Sequence, residues 1–272
     1  MKRLQLFCIA LFVFSLFPFL DAAHAEFEGY WEQTSVTVST MPMMARKGAD
    51  TTEQVVYFKP GMMKTVNRED GKTTIIRLDK ELMWHVDPVE STYTEITFAE
   101  MEQTSAAMKE EMAKAKAKMS EEAKDMSPEE KKMMESLMGS KMAEMMGSGG
   151  DITLSLTRTG EKEKIGGYQC ERVIMTLNGD PLVDMWVTDT YDLGGELFKL
   201  YKKMNIFQYD PTEELEKFKG FPMKTVSSMD MGMGAVTSTM TVTKVVKSSV
   251  KDSEFDLPKG LQKRESGLRK PR

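Results

Sequence analysis

The chain has 272 residues, 37 Lys and Arg against 42 Asp and Glu for a net charge of −5, and 26 methionines beside two cysteines and two histidines. A mildly acidic chain lacks the basic footprint that holds nucleic acid or an anionic membrane surface, so nucleic acid is excluded as an expected partner. With Cys8 inside the apolar start of the chain, only Cys170 remains downstream, which excludes an intramolecular disulfide and leaves stability to an ordinary apolar core.

Residues 1–25 read as a secretory signal peptide: Lys2 and Arg3, an apolar run from Leu4 to Leu20, then Ala23-His24-Ala25 before a cut at Glu26. Cys8 lies too early for lipid attachment at that cut, and no second long apolar stretch follows. The expectation is a periplasmic or secreted protein with no integral membrane span after signal removal.

From Tyr30 to Phe98 the spacing predicts six short strands: Tyr30–Ser39, Thr51–Phe58, Met62–Arg68, Thr73–Asp79, Glu81–Asp87 and Thr92–Thr97. They are rich in Thr, Val, Tyr and Trp and are separated by turn signals such as Lys59-Pro60-Gly61 and Glu69-Asp70-Gly71, the pattern of an antiparallel meander. Thr97-Phe98-Ala99-Glu100 has capping-box spacing and opens a helix; Ser127-Pro128-Glu129-Glu130 repeats the signal and opens a second, which ends at Gly147. This helical insertion, residues 98–146, carries eleven methionines. After Gly147-Ser148-Gly149-Gly150, strands resume at Ile152–Thr157, Tyr168–Leu177 and Leu182–Thr188. A helix over Leu197–Phe207, a shorter helical piece near Pro211, and strands at Pro222–Met229 and Val236–Val246 follow. Phe255-Asp256-Leu257-Pro258-Lys259-Gly260 reads as leaving the sheet, and residues 263–272 read as a basic, disordered tail. The plan is one α+β domain over 26–262, sheet, helical pair, then sheet again.

Two methionine patterns carry candidate chemistry. Met101, Met108, Met112, Met119 and Met126 repeat at gaps of seven and four, which places them within an arc of about 40° on one helix face. Unbranched, polarisable thioethers suit either core packing or an adaptable apolar contact, so these five are the candidate ligand-binding seam for a hydrophobic small molecule or lipidated protein. The loop Met229-Asp230-Met231-Gly232-Met233, with Met41-Pro42-Met43-Met44, is the alternative. Three close thioethers can hold Cu(I) without histidine or cysteine, so Met229, Met231, Met233, Met41, Met43 and Met44 are the candidate metal ligands of that reading, in which cuprous ion is bound or buffered. No cofactor is expected on the leading reading.

The catalytic inventory is poor. No Gly-rich phosphate loop, nucleophile elbow or metal-type His/Cys spacing is present, and downstream of the signal His85 stands without a second histidine. Glu53, Asp79, Asp87, Glu95 and Asp184 are the carboxylates that could pair, and they read as solvated strand residues. Cys170 reads as a small buried apolar residue rather than a nucleophile. The expectation is a protein that is not an enzyme; an envelope structural or interaction role is the third reading.

Lys164-Ile165-Gly166-Gly167-Tyr168-Gln169-Cys170, then Met185-Trp186-Val187-Thr188-Asp189 and the close Phe255-Asp256-Leu257-Pro258-Lys259-Gly260, resemble a family of secreted bacterial domains with no assigned function. Ile75-Ile76-Arg77-Leu78-Asp79 through Tyr93-Thr94-Glu95 is similar to its N-terminal half. That family is similar in plan to the periplasmic lipoprotein carriers of the LolA and LolB type. The resemblance implies a curved antiparallel β-sheet, a half-barrel, wrapping an apolar cavity that helices close, and no carrier binding residue matches here position by position.

Overall fold

The structure, a computed structural model, describes residues 27–41, 48–122, 127, 153–204, 218–230 and 234–266. Twelve strands form one curved sheet: β1 Gly29–Ser39, β2 Asp50–Lys59, β3 Met62–Asn67, β4 Thr73–Arg77, β5 Leu82–Asp87, β6 Thr92–Thr97, β7 Leu154–Ile165, β8 Tyr168–Leu177, β9 Asp180–Thr188, β10 Phe221–Asp230, β11 Ala235–Lys247 and β12 Gln262–Arg264. Their spatial order is β12-β6-β5-β4-β3-β2-β1-β11-β10-β9-β8-β7. The sheet is therefore two meanders, β1 to β6 and β7 to β11, joined where β1 pairs with β11. Every pairing is antiparallel except that of β12 with β6.

Most strand limits follow the sequence signals, and the departures have local causes. The fourth strand stops at Arg77 because Leu78–Lys80 make a 3₁₀ turn that ends on Glu81 in the left-handed region, φ 52°. The seventh runs eight residues past Thr157, through Arg158-Thr159-Gly160-Glu161-Lys162-Glu163-Lys164, a charged run with loop composition. It is an edge strand, and exposed Lys and Glu there keep a free edge from pairing with another chain. The proline in Asp180-Pro181 belongs to β9, at its start, where a missing N–H costs no ladder bond that a central position would need.

Helix α1, Phe98–Glu122, leaves β6 and begins as the sequence specifies. The Thr97 backbone N–H donates to Glu100 Oε2 at 2.8 Å, and the Glu100 N–H donates to Thr97 Oγ1 at 3.2 Å, a complete capping box. The expected second helix from Ser127 to Gly147 lies outside the described residues apart from Ser127. The chain from α1 to β7 connects opposite ends of the sheet. Helix α2, Gly194–Lys203, sits between β9 and β10 and starts three residues earlier than expected; the rest of the predicted stretch to Phe207, and the piece near Pro211, lie outside the described residues.

The two faces of the first meander are closed by different parts of the chain. On one, Ile75, Trp84, Val86, Val250 and Phe255 form a buried cluster with Tyr57, Met62 and Leu257 packed on it. Residues 248–261 thus form a strap that crosses from β11 to the β6 edge. Arg77, 6% exposed, fastens it: its guanidinium binds the Asp79 carboxylate at 2.6 and 2.7 Å, and donates to the Phe255 carbonyl at 3.3 Å and Asp256 Oδ1 at 3.1 Å. Lys59 with Asp252 and Lys64 with Glu254, both at 2.7 Å, add exposed pairs worth little each.

Here the structure corrects the reading of the C-terminus. Phe255 to Gly260 leave the sheet as read, though Phe255 stays in the core at 0% exposed, whereas Lys263 and Arg264, assigned to the tail from sequence, lie in β12 and pair with Glu95 and Glu90. Residues 267–272 lie outside the described residues. Strap docking predicts that Phe255→Ala lowers unfolding free energy by about 3–5 kcal/mol, since it empties a fully buried aromatic site. Urea denaturation followed by tryptophan fluorescence checks this, and a loss under about 1 kcal/mol would show that the strap is not part of the cooperative core.

Candidate functional site

On the opposite face a cavity of about 480 Å³ lies between the sheet and α2. Its floor is written by strand periodicity: Trp31 and Gln33 of β1, Gln54 and Val56 of β2, Met63 and Thr65 of β3 are each two residues apart and so share a face. The second meander supplies Met175, Val183 with Met185, Thr225 with Ser227, and Ser238 with Met240 in the same rhythm. Seven strands therefore contribute, and the seam of β1 with β11 runs through the middle.

The roof is α2 with the segment that follows it: Leu193, Gly194, Leu197, Phe198, Phe218 and Phe221. Gly194 permits the approach, since a Cβ there would stand 2.3 Å from Phe218 Cδ1 and 2.9 Å from the Phe218 carbonyl oxygen. Phe27, Trp31, Phe58, Tyr191 and Phe221 pack as a group with ring centroids 5.3–6.5 Å apart, which makes this end of the cavity a rigid aromatic wall. Polar side chains gather elsewhere, at Gln33, Gln54, Thr65, Ser227 and Ser238. The cavity is an apolar trough with one hydrogen-bonding side.

The predicted methionines are placed differently from one another. Met101 is half-buried and packs, with Phe98, Leu78 and Met83, on a cluster of Ile76, Leu200 and Met204. It is a core contact where the base of α1 meets α2, and it does not line the trough. Met108, Met112 and Met119 lie on α1 with side chains outside the described set, and Met126 lies outside the described residues. Met229 is exposed, 51%, at the end of β10. Met41 follows β1 directly beside Gly234, where a Cβ would stand 2.8 Å from the Met41 nitrogen. Met43, Met44, Met231 and Met233 lie outside the described residues.

The trough residues themselves were missed. Their signal was present as alternation in each strand, but alternation does not say which face turns inward. Met185 and Trp186 show the ambiguity: Met185 is buried at 7% on the trough floor, whereas Trp186 lies beneath Lys224 Nζ, 4.5 Å from its ring centroid, and the Arg172 guanidinium at 5.7 Å.

Among the described residues no acid–base machinery lines this trough. The candidate carboxylates are held as anions by fixed cations: the Arg172 hydrogen bonds, both 2.7 Å, keep Asp184 below the usual carboxylate range, Lys263 and the Trp84 indole do the same for Glu95, and Arg77 for Asp79. Asp87 accepts from the Glu90 N–H at 3.1 Å and caps a turn. Glu53 is exposed on β2. Among the described residues no three His, Cys, Asp or Glu side chains gather to hold a metal, and no helix is long and apolar enough to cross a membrane.

Cys170 is 1% exposed and burial raises its thiol pKa, which keeps it protonated and unreactive at neutral pH. In the chain beginning at Glu26, the native protein is expected to react with a thiol-specific chromogenic disulfide at least about a hundredfold more slowly than the urea-unfolded protein. Equal rates would place the thiol in a reactive, accessible setting.

A family model described as Domain of unknown function (DUF4412) matches residues 99–261, from the first turn of α1 to the residue before β12. No curated protein matches the sequence. Among solved structures, an uncharacterized conserved protein from Thermus thermophilus is similar at 7% identity and a TM-score of 0.41, over 87% of this chain and 91% of that one. MucB is similar at 6% identity and a TM-score of 0.35, over 88% of this chain and 61% of its own. The Mycobacterium tuberculosis lipoprotein LppX is similar at 11% identity and a TM-score of 0.26, over 80% and 90%.

Proposed function

The chain belongs to the DUF4412 family, and from that premise together with the trough we propose that it is a non-catalytic binding or carrier protein for an apolar ligand: a lipid, an acyl chain or a lipidated partner. The observation that carries this reading is the trough itself. About 480 Å³ is within the usual range of small-molecule pockets, its lining is apolar with a few convergent polar groups, and among the described residues no titratable group lines it. The leader from Lys2 to Ala25 supports a periplasmic or secreted location, where such ligands need a solvent-shielded carrier. The helical insertion, by its place in the sequence between the two meanders, supports a cover that yields to a ligand, with the spacing of Met108, Met112, Met119 and Met126, beyond the core contact Met101, as its adaptable face.

Native mass spectrometry of gently purified protein is expected to show bound lipid, or uptake of one acyl chain per protein when chains are added. A protein that carries none and takes up none would remove the carrier reading.

One observation favours a second reading. The Thr40 N–H donates to the Ala235 carbonyl at 2.9 Å and the Ala235 N–H to Thr40 Oγ1 at 2.7 Å, so the loops beginning at Met41 and after Met229 start from one end of the sheet. Two thioether clusters far apart in sequence could then serve one Cu(I) ion. Under reducing conditions, substituting Met229, Met231 and Met233 together by Leu is expected to lower retention of cuprous ion against a cuprous chelator by at least about tenfold. Unchanged retention would leave the loops as exposed apolar turns.

A further inference from the structure

We infer that Gln54 is a fixed hydrogen-bond donor for the ligand's head group, and that the ligand class is an amphiphile whose head is uncharged and rich in oxygen, such as a monoacylglycerol. This rests on the carrier reading and specifies the ligand for it.

A relay of three side chains sets the direction of the Gln54 amide. The Trp31 indole Nε1–H donates to Gln33 Oε1 at 2.7 Å, and Gln33 Nε2 donates to Gln54 Oε1 at 2.8 Å. An indole nitrogen only donates, so it dictates which end of the Gln33 amide faces it, and that choice dictates the Gln54 amide in turn. The relay therefore ends in the two N–H bonds of Gln54 Nε2, for which no acceptor occurs among the described residues. A half-buried donor of this kind takes its acceptor from water or from a ligand's carbonyl, ester, ether or hydroxyl oxygen.

Gln54 and Thr65 line the trough and also a second cavity, of about 470 Å³, over the outer strands of the first meander. Its floor is a cross-strand row in continuous register: Thr65 opposite Thr74, Thr74 opposite His85, His85 opposite Thr94. The neighbouring row on the same face is apolar, Met63 opposite Ile76 and Met83 opposite Ile96. Gln54 thus stands where an apolar compartment meets a hydroxyl-lined one.

Both cations around this second cavity are already paired, and one carboxylate, Asp87, is in excess. Lys72 is paired with Asp70 at 3.0 Å and faces Asp87 at 4.0 Å, and Arg264 is paired with Glu90 at 2.6 Å. The Nδ1 of His85 lies 3.0 Å from the Thr74 hydroxyl. His85 is an exposed residue that lines the cavity, and desolvation lowers its pKa from the ordinary value. A phosphate or carboxylate head would find both cations already paired and Asp87 facing it, whereas hydroxyl and ester groups meet Thr, Asn and Gln side chains.

The test is displacement of a fluorescent apolar probe from the protein by a monoacylglycerol, a fatty acid and an alkylamine of one chain length. Gln54→Glu keeps an acceptor for Gln33, so the relay survives, but replaces the terminal donor with an anion. Gln54→Met removes the donor without adding charge.

Wild type is expected to bind the monoacylglycerol at least about tenfold more tightly than the fatty acid. Both variants are expected to weaken the monoacylglycerol by about tenfold while holding the probe within about twofold, the loss of one good hydrogen bond. Gln54→Glu alone should gain affinity for the alkylamine. Unchanged monoacylglycerol binding in variants that still hold the probe would overturn the Gln54 assignment. A wild type that takes the probe but ranks the three heads equally would overturn the head-group class. A wild type that binds no chain at all would overturn the carrier reading beneath both.

Discussion

Each meander is a local structure built from hairpins, and only the antiparallel seam of β1 with β11, Gly29 to Ser39 against Val236 to Lys247, makes one sheet of them. The seam needs its glycine. Gly29 has φ 153°, and a Cβ there would stand 2.1 Å from the Val246 carbonyl oxygen, so any side chain would push β11 away at the first pairing position. Beyond it the ladder continues through Glu28, whose carbonyl accepts from the Ser248 N–H and whose carboxylate accepts from the Val250 N–H at 2.6 Å. Closing so long a loop adds only modestly to the entropic cost of folding, because that term grows logarithmically with length, and it makes the seam a non-local contact.

The two coverings of the sheet depend on that seam. Leaving β11 at mid-sheet, the chain has the width of the first meander still to cross, and it does so as the strap that buries Val250 and Phe255 and ends as β12 on the β6 edge. The other face is consequently left to helices, and α2 reaches it from the second meander while the base of α1 reaches it from the first, meeting at Leu200, Met204 and Met101. A strap packed tightly on one face and short helices over a cavity on the other is an unequal division. The trough lies on the side where the covering elements are helices, with Gly194 at close approach, rather than a continuous aromatic and aliphatic plug.

Much of this was legible from residue order. The hairpin turns, the six strands from Tyr30 to Thr97 and the capping box at Thr97 are short-range features, decided within a few residues by turn chemistry and alternation. The exposed length of β7 was not, because Arg158 to Lys164 has the composition of a loop and becomes a strand only by lying against β8. The fate of Lys263 and Arg264 was hidden for a similar reason: Asp256, Pro258 and Gly260 read as an exit, and the parallel pairing that recovers Arg264 joins it to Thr94, far away in the chain. The site was less legible than the fold. A methionine stripe on a helix is visible to periodicity, whereas a cavity floor assembled from alternate residues of seven strands is visible only once their faces are known.

The sequence by itself determined the class of elements, their order, the start of the helical insertion, the acidic surface and the poverty of catalytic groups, because each follows from local spacing or from composition. Tertiary structure decided which face of every strand turns inward, so that Met185 rather than Trp186 lines the trough and Gln54 ends a relay begun at Trp31. It also decided that Met101 packs in the core. The reason is physical: a strand's alternation is symmetric between its two faces, and only packing against α2 on one side and the strap on the other breaks that symmetry.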